Sequence, residues 1–295
     1  MTTPRETGAI HDIGYRRYDG PRLGRTYAER SLAVSSLRGA FGLGRSTRSK
    51  VMPVILVVVM VVPALIISAI VVISGSDDLP VAYTSWAVNL ASVVVLFLGA
   101  QAPQSVSRDL RFRVVALYFS RPLTRRSYVR AKLAAMSAAL FVLMALPLLV
   151  LYGGALLGGL AFWTNTRDLL YGLAGAVMFA VVLSSVGLLI AAWTPRRGIG
   201  VAAIVATLTI LGGVSAIVAG IAKDQGNLTL SGWAGLISPI SLVDGIQVWL
   251  FGSETAVVTG PPGDAGGPVF ALVAVALVAT CYLLLVRRYR GVTSS

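Results

Sequence analysis

The chain has 295 residues, of which 56% are hydrophobic and 13% are charged, and its mean hydropathy is +0.80. This composition excludes an ordinary soluble domain and indicates an integral membrane protein. The net charge of +13 would suggest nucleic-acid binding in a soluble protein. In a membrane protein, Lys and Arg instead mark the cytoplasmic loops. One cysteine, Cys281, excludes an intrachain disulfide and indicates a buried hydrophobic side chain.

Residues 1–50 are predicted to form a cytosolic N-terminal region, because they are polar, rich in arginine and without an apolar signal segment. Apolar side chains recur at helical spacing over residues 23–41: Leu23, Tyr27, Val34, Leu37 and Phe41. Arg25, Arg30 and Arg38 lie among them. This pattern predicts an amphipathic helix on the inner membrane surface. The alternative is a helix that is simply solvated in the cytoplasm.

A six-span transmembrane domain is predicted over residues 51–286. The predicted spans are the long apolar runs at about 51–74, 84–102, 133–159, 169–193, 199–222 and 268–286. A helix rises 1.5 Å per residue, so runs of this length can cross a hydrocarbon core about 30 Å thick. Gly154 and Gly158 form a GxxxG pattern that allows helices to approach closely, although a glycine-rich chain also produces such spacings by chance.

The distribution of charge orients these spans. With the N-terminus inside, the inner segments 1–50, 103–132, 194–198 and 287–295 hold 23 of the 25 Lys and Arg residues. The outer loops hold only Arg167 and Lys223. This asymmetry predicts six spans, with both termini in the cytoplasm and residues 287–295 as a cytosolic tail.

Residues 228–252 are apolar enough to form a seventh span, but they contain Pro239 and Asp244. A seventh span would also place the arginines after residue 286 outside. We therefore predict two short helices, at about 229–238 and 241–251, that enter the outer leaflet and return as a re-entrant pair.

Ionisable side chains are absent from the interior of all six predicted spans, and His11 is the only histidine. Ion-coupled transporters and intramembrane hydrolases need such groups in the membrane, so both classes are disfavoured. Asn89 and Gln101 are the most polar residues of the spans. Asn89 is a candidate for the substrate path, and its alternative role is an interhelical hydrogen bond.

The nearest match to a phosphate-binding loop is Gly39–Ser46, with Arg45 where the motif has lysine. A phosphate-binding loop follows a buried strand and opens a helix of an α/β domain, and this segment precedes a membrane span instead. We therefore expect no catalytic residues, bound cofactor or metal site in this chain. Energy for uphill transport would have to come from another subunit.

The segment 105–132 is a basic segment between two apolar runs, with eight Lys or Arg residues and one acid, Asp109. Ser105 or Ser107 can cap a helix, and Asp109 favours its N-terminal end. Apolar residues then form one face: Leu110, Val114, Leu117 and Tyr118. Pro122 would end this short cytosolic helix. Such a helix suits a groove in a partner protein, and its alternative role is a lipid-facing anchor.

The sequence LYFSRPLTRRSYVRAK, residues 117–132, resembles the cytosolic coupling stretch of ABC-2 type permeases, the membrane subunits of ATP-binding cassette transporters. Asp109, Ser120-Arg121-Pro122 and Lys132 occupy the positions of that pattern. This chain has Ser107-Arg108-Asp109 where the family often has Glu-Arg. Residues 10–25, IHDIGYRRYDGPRLGR, resemble the N-termini of actinobacterial permeases of this group.

The resemblance implies a permease dimer, of identical or different subunits, coupled to two ATPase subunits that bind ATP and Mg²⁺. It implies that a coupling helix near 105–121 enters a groove of the ATPase, and that a hydrophobic or amphipathic cargo is exported. The implied ATPase contacts are Arg108, Asp109, Leu110, Arg113, Val114, Leu117, Tyr118, Arg121 and Pro122, with Tyr15, Arg17, Tyr18 and Asp19 in the N-terminal region.

Two other functions remain open from the sequence. A passive channel or facilitator would show flux without an ATPase partner. A membrane scaffold or sensor would bind a partner without moving cargo. An adjacent gene for an ATPase with phosphate-loop and signature motifs would favour the transporter over both.

Overall fold

The computed structural model describes residues 20, 23–44, 46–111, 123–194 and 196–291, with the side chains of 107–111 and 290–291 outside the description. All regular secondary structure in these ranges is helical. The helices are α1 (Arg25–Ala40), α2 (Arg48–Ser74), α3 (Trp86–Asn89), α4 (Ala91–Arg111), α5 (Arg125–Leu157), α6 (Phe162–Trp193), α7 (Arg197–Asp224), α8 (Leu228–Trp233), α9 (Pro239–Phe251) and α10 (Gly263–Gly291). A 3₁₀ turn, Ala234–Ile237, joins α8 to the break before α9.

Within the described residues, five helices are long and apolar enough to cross a membrane: α2, α5, α6, α7 and α10. The chain is therefore a multi-pass membrane protein in character, as the composition predicts. The predicted second span, 84–102, is a broken element. The short α3 stops at Asn89, and α4 resumes at Ala91 and continues to Arg111.

The centre of the bundle is formed by α5 and α6, which are antiparallel and joined by residues 158–161. Gly159 has φ +81° in this turn, a conformation that glycine adopts without steric cost. The Ser137 and Ser184 hydroxyl oxygens lie 2.6 Å apart between the two helices. On the other side, α2 packs along α5, where Ser68 lies directly over Gly154. Small residues therefore set the closest approaches in the core.

Helix α4 packs against α6 and α7. Gly187 of α6 accommodates the Leu98 side chain, and Gly99 of α4 faces Val205 of α7. Phe97 and Leu98 are completely buried in this region. Despite its break at Leu90, the α3–α4 element is thus a central part of the bundle rather than a peripheral one.

Helix α1 confirms the predicted helix in the region 23–41, and Leu37 and Phe41 of the predicted apolar face pack against the bundle. Its buried side is formed by Leu32 and Ala40, and Phe41 contacts Phe97 at a ring separation of 5.6 Å. Leu23, Tyr27 and Val34 are exposed instead. The face that covers the bundle is therefore offset from the one that the spacing of large apolar residues indicates.

Residues 228–251 form two short helices, as the sequence predicts. The break falls at Ser238, whose hydroxyl accepts a hydrogen bond from the Ile240 N–H at 3.3 Å. Pro239 occupies the first turn of α9, where its missing N–H costs nothing. Asp244 lies inside α9 and is buried, and it accepts hydrogen bonds from the Thr255 hydroxyl (2.7 Å) and the Ala256 N–H (3.3 Å).

Candidate functional site

The two ends of the bundle carry opposite charge. At one end α2, α5 and α7 begin and α4, α6 and α10 finish, and we call this the basic end. Its described cations include Arg48, Lys50, Arg125, Arg126, Arg130, Lys132, Arg196, Arg197, Arg287 and Arg288. We call the opposite one the acidic end, and its described acids include Asp77, Asp78, Asp168, Asp224, Glu254 and Asp264. The predicted coupling segment belongs to the basic end.

Most of the predicted ATPase-coupling residues lie outside the described structure. This holds for Tyr15, Arg17, Tyr18 and Asp19, and for Arg113, Val114, Leu117, Tyr118, Arg121 and Pro122. Arg108, Asp109 and Leu110 lie in the last turns of α4, and their side chains are not described. The roles of all these residues therefore stay predictions. Because α4 runs unbroken from Ala91 to Arg111, the helix start predicted at Ser105 or Ser107 is wrong. The structure does describe the helices that flank residues 112–122, α4 and α5, and we call the contacts between them the frame.

That frame is the junction of α4 with α5. The Thr124 hydroxyl caps α5 by accepting a hydrogen bond from the Ser127 N–H at 3.3 Å. Two turns into α5, the Lys132 ammonium donates to the Ser105 carbonyl oxygen of α4 at 2.8 Å. Lys132 is only 7% exposed, and its nitrogen lies 5.5 Å from the centroid of the Tyr128 ring. A buried charge–carbonyl bond thus joins the two helices on either side of residues 112–122.

Helix α1 holds the other side of the α5 N-terminus. Arg25 donates from Nε to the Ser127 hydroxyl at 3.1 Å and also contacts the Thr124 hydroxyl. One turn further along, Arg130 pairs with Glu29 at 3.0 Å. The sequence prediction missed this contact. Glu29 could have indicated this ion pair, because it is the only acid between residues 20 and 76.

The end of α10 completes the basic end. The rings of Tyr128 and Tyr289 meet edge to face, with centroids 5.0 Å apart. Arg288 lies 6.0 Å from the Trp193 ring, and its Nε donates to the Ala192 carbonyl oxygen at 3.4 Å. The first two turns of α5 therefore contact α1, α4 and α10 together. A displacement of residues 112–122 would act directly on this interlocked group of helices.

Asn89, the predicted substrate-path residue, is exposed at the end of α3. Its amide donates locally to the Ser85 hydroxyl at 3.5 Å, and not to another spanning helix. Within the described residues the interhelical bond is not seen, and the substrate-path role of Asn89 stays a prediction. Gln101, the other polar residue of that predicted span, is buried in α4.

No protein-family model matches the sequence, and comparison with curated proteins finds no match. The part of the chain that the structure describes is all-helical and has the character of a multi-pass membrane protein, with five described helices capable of spanning a bilayer.

Proposed function

We propose that this chain is the permease subunit of an ABC transporter of the ABC-2 type. In this proposal it exports a hydrophobic or amphipathic cargo as a homodimer or heterodimer. ATP and Mg²⁺ are bound by separate ATPase subunits. The proposal draws on the resemblance of residues 10–25, Asp109 and residues 117–132 to that family and on the strong charge asymmetry between the two ends of the bundle.

The observation that carries the proposal is the bond between Lys132 and Ser105. A coupling helix has to transmit a conformational change from the ATPase to the membrane spans. It can do so only if the helices at its two ends are held rigidly relative to each other. Residues 112–122 leave from α4 and enter α5, and the 2.8 Å Lys132 contact holds these two helices together. Helix α5 in turn packs against both α2 and α6. A push on the segment would therefore reach the centre of the bundle.

We propose six crossings, with α3 and α4 together forming the second. An even number places the N-terminus and the arginines at the end of α10 on the same side, as the positive-inside rule favours. The five apolar helices alone would place them on opposite sides. The proposed location is the bacterial cell membrane, with both termini in the cytoplasm and the acidic end outside.

In this topology α8 and α9 form a re-entrant pair in the outer leaflet. Non-helical backbone at that depth needs cover from protein, since lipid offers no hydrogen-bond partners. The structure provides such cover from α7. The Ser215 hydroxyl donates to the Ala234 carbonyl oxygen, and the Ser231 hydroxyl donates to the Ala219 carbonyl oxygen, each at 2.8 Å. These bonds fasten the broken pair to a spanning helix.

The test is co-purification with a co-expressed candidate ABC ATPase, chosen by its phosphate-loop and signature motifs from the genes next to this one. The wild type is compared with the triple variant Leu110→Asp, Val114→Asp, Leu117→Asp, which charges the predicted apolar face. Leu43→Asp is the matched control, because it adds a carboxylate to an exposed leucine at the same end of the bundle, outside the predicted coupling helix. We expect the wild type and the control to bind the ATPase and show ATP hydrolysis, and the triple variant to insert normally but lose both.

Equal binding by the triple variant would overturn the assigned coupling helix. If no ATPase binds any form, the transporter assignment itself fails. Cargo flux into vesicles that contain only this chain would then support a passive channel. Partner binding without ATP-driven flux would instead support a scaffold or sensor.

A further inference from the structure

A cavity of about 540 Å³ opens at the acidic end, away from the proposed coupling segment. It lies between the loop 78–84, the first turns of α6 and the end of α9 with residues 252–254. Its volume falls within the range of about 300–1,000 Å³ that is typical of small-molecule sites. We call it the acidic-end cavity.

The base of the cavity is a fixed polar contact. The Tyr83 hydroxyl donates to the Asn165 Oδ1 atom at 3.2 Å, and both residues are more than nine-tenths buried. The Asn165 amide nitrogen donates in turn to the Ala161 carbonyl oxygen at 3.0 Å. Burial, followed by the nearby Asp168 carboxylate, raises the pKa of Tyr83 well above its ordinary value. The phenol therefore stays protonated and keeps this hydrogen bond.

One wall of the cavity is aromatic. The rings of Tyr171 and Phe251 stack with centroids 4.7 Å apart and planes within 10°. The Arg167 guanidinium lies 5.9 Å from the centroid of the Tyr171 ring. Ring faces attract cations electrostatically, and this face is already in contact with one. The wall is thus suited to a ligand with a positive charge and an apolar body.

The charge of the lining is negative. It includes the three carboxylates Asp78, Asp168 and Glu254 and one cation, Arg167. Arg167 pairs with Asp168 at 3.1 Å, whereas Asp78 and Glu254 have no ion pair within the described residues. Among those residues, no group of three or more His, Cys, Asp or Glu side chains could hold a metal ion. The lining therefore favours an organic cation over a metal ion or an anion.

We propose that the acidic-end cavity binds a small organic cation with an apolar body. Its positive group lies near Asp78 and Glu254, and its apolar body contacts the Tyr171 ring by displacing the Arg167 guanidinium from it. The site is built entirely from this chain and needs neither an ATPase nor a second copy. The proposal therefore holds or fails independently of the proposed coupling to ATP hydrolysis.

The test is calorimetric titration of the full chain, in a neutral detergent, with benzyltrimethylammonium. Benzyl alcohol is the neutral aromatic control, and titration of empty micelles gives the background. We expect saturable binding of one benzyltrimethylammonium per chain and no saturable binding of benzyl alcohol. Non-saturable heat with the cation, or equal binding of the alcohol, would overturn the proposal.

Three variants locate the site. Asp78→Asn with Glu254→Gln removes two charges that each contribute about 0.7 kcal/mol at roughly 6 Å in water, so binding should weaken about tenfold. Asp264→Asn removes an acid at the same end but outside the lining, and should change nothing. Tyr171→Leu should weaken binding about fivefold through loss of the ring face, while Tyr171→Phe should retain it. Unchanged binding in the double variant would contradict the proposal.

Arg167→Gln gives the sharpest result, because its expected effect is a gain. Arg167 occupies the face of Tyr171 and opposes an incoming cation, so its removal should tighten benzyltrimethylammonium binding severalfold. A cavity that selects anions would show the reverse. A misfolded variant would not bind benzyltrimethylammonium more tightly, so an increase in affinity cannot be a folding artefact. Weaker binding by a monodisperse Arg167→Gln sample would contradict the proposal.

Discussion

The central helices α5 and α6 differ sharply from α7, although the three have similar length and hydropathy. In the most apolar window of each helix, 50% of α5 and 56% of α6 is buried, against 17% of α7. Hydrophobicity in a membrane protein therefore does not tell interior from periphery, because lipid is as apolar as a protein core. The central helices α5 and α6 differ from the peripheral helix α7 in the contacts that their small and polar residues make with other helices.

The glycines show this difference directly. A Cβ atom added at Gly154 of α5 would lie 2.2 Å from Ser68 Cβ and 2.8 Å from Ser68 Cα. Added at Gly187 of α6, it would lie 2.7 Å from Leu98. At Gly213 and Gly220 of α7, nothing lies within 4 Å. Each helix also holds the opposite case, since Gly153 of α5 has no neighbour within 4 Å and a Cβ atom at Gly200 of α7 would lie 2.8 Å from the Thr194 hydroxyl oxygen. The position of each glycine on its helix therefore decides whether it packs closely.

The largest expected effect is that of Gly154→Ala. Because the new methyl group meets the backbone of α2 as well as a side chain, the two helices must separate, at a cost of about 3 kcal/mol. Gly153→Ala is the control in the same helix, and Gly213→Ala is the counterpart in α7. Neither has a neighbour within 4 Å, so both should be neutral or slightly stabilising through helix propensity. Thermal unfolding in detergent, followed by circular dichroism, measures all three.

A loss of stability in Gly213→Ala as large as that in Gly154→Ala would break the comparison. It would mean that another helix covers the exposed side of α7 in the purified protein. The size of the particle by light scattering would then show whether a second copy supplies that helix.

The long helices were predictable because an uncharged run in lipid has to satisfy its backbone hydrogen bonds internally. The ends were less predictable. Helix α5 begins at Arg125 rather than near 133, since a helix continues past the apolar run into its polar flanks. The break between α8 and α9 was also predictable, because Ser238-Pro239 is a helix-start signal that needs no tertiary information.

The interruption at Leu90 had no such signal, since neither glycine nor proline stands between Trp86 and Ala91. The frame of the proposed coupling site was hidden for a different reason. In the sequence, Lys132 is one basic residue among eight, and its burial depends on the approach of Ser105 from a different helix. Likewise, the pairing of Tyr83 with Asn165 joins residues 82 positions apart. Contacts of this kind follow from the tertiary arrangement and not from local pattern.

A smaller effect on stability is expected from replacing a lysine that donates a hydrogen bond to a backbone carbonyl oxygen, and the described part of the bundle offers two such lysines. Lys132 of α5 is buried and lies 2.8 Å from its acceptor, whereas Lys223 of α7 is exposed and lies 3.4 Å from Val258 O. Lys132→Met should lower the free energy of unfolding by about 2 kcal/mol, because a buried hydrogen bond from a charged donor is lost. Lys223→Met should leave the unfolding temperature unchanged. Equal effects would show that Lys132 is solvated in the membrane-embedded protein.

The smallest effects are expected from serine-to-alanine substitutions that remove one interhelical hydrogen bond each. They compare the central helix α6 with the buried side of the peripheral helix α7. Ser184 of α6 meets Ser137 at 2.6 Å, and Ser215 of α7 donates to Ala234 O at 2.8 Å. Interhelical hydrogen bonds of this kind contribute about 0.6 kcal/mol in a membrane protein, so Ser184→Ala and Ser215→Ala should cost about the same. Unfolding temperatures of replicate samples should show matched decreases. If only Ser184→Ala destabilises the protein, the α8–α9 pair adds nothing to the stability of the bundle. If both do, the local burial of each side chain, and not the central or peripheral place of its helix, determines the cost.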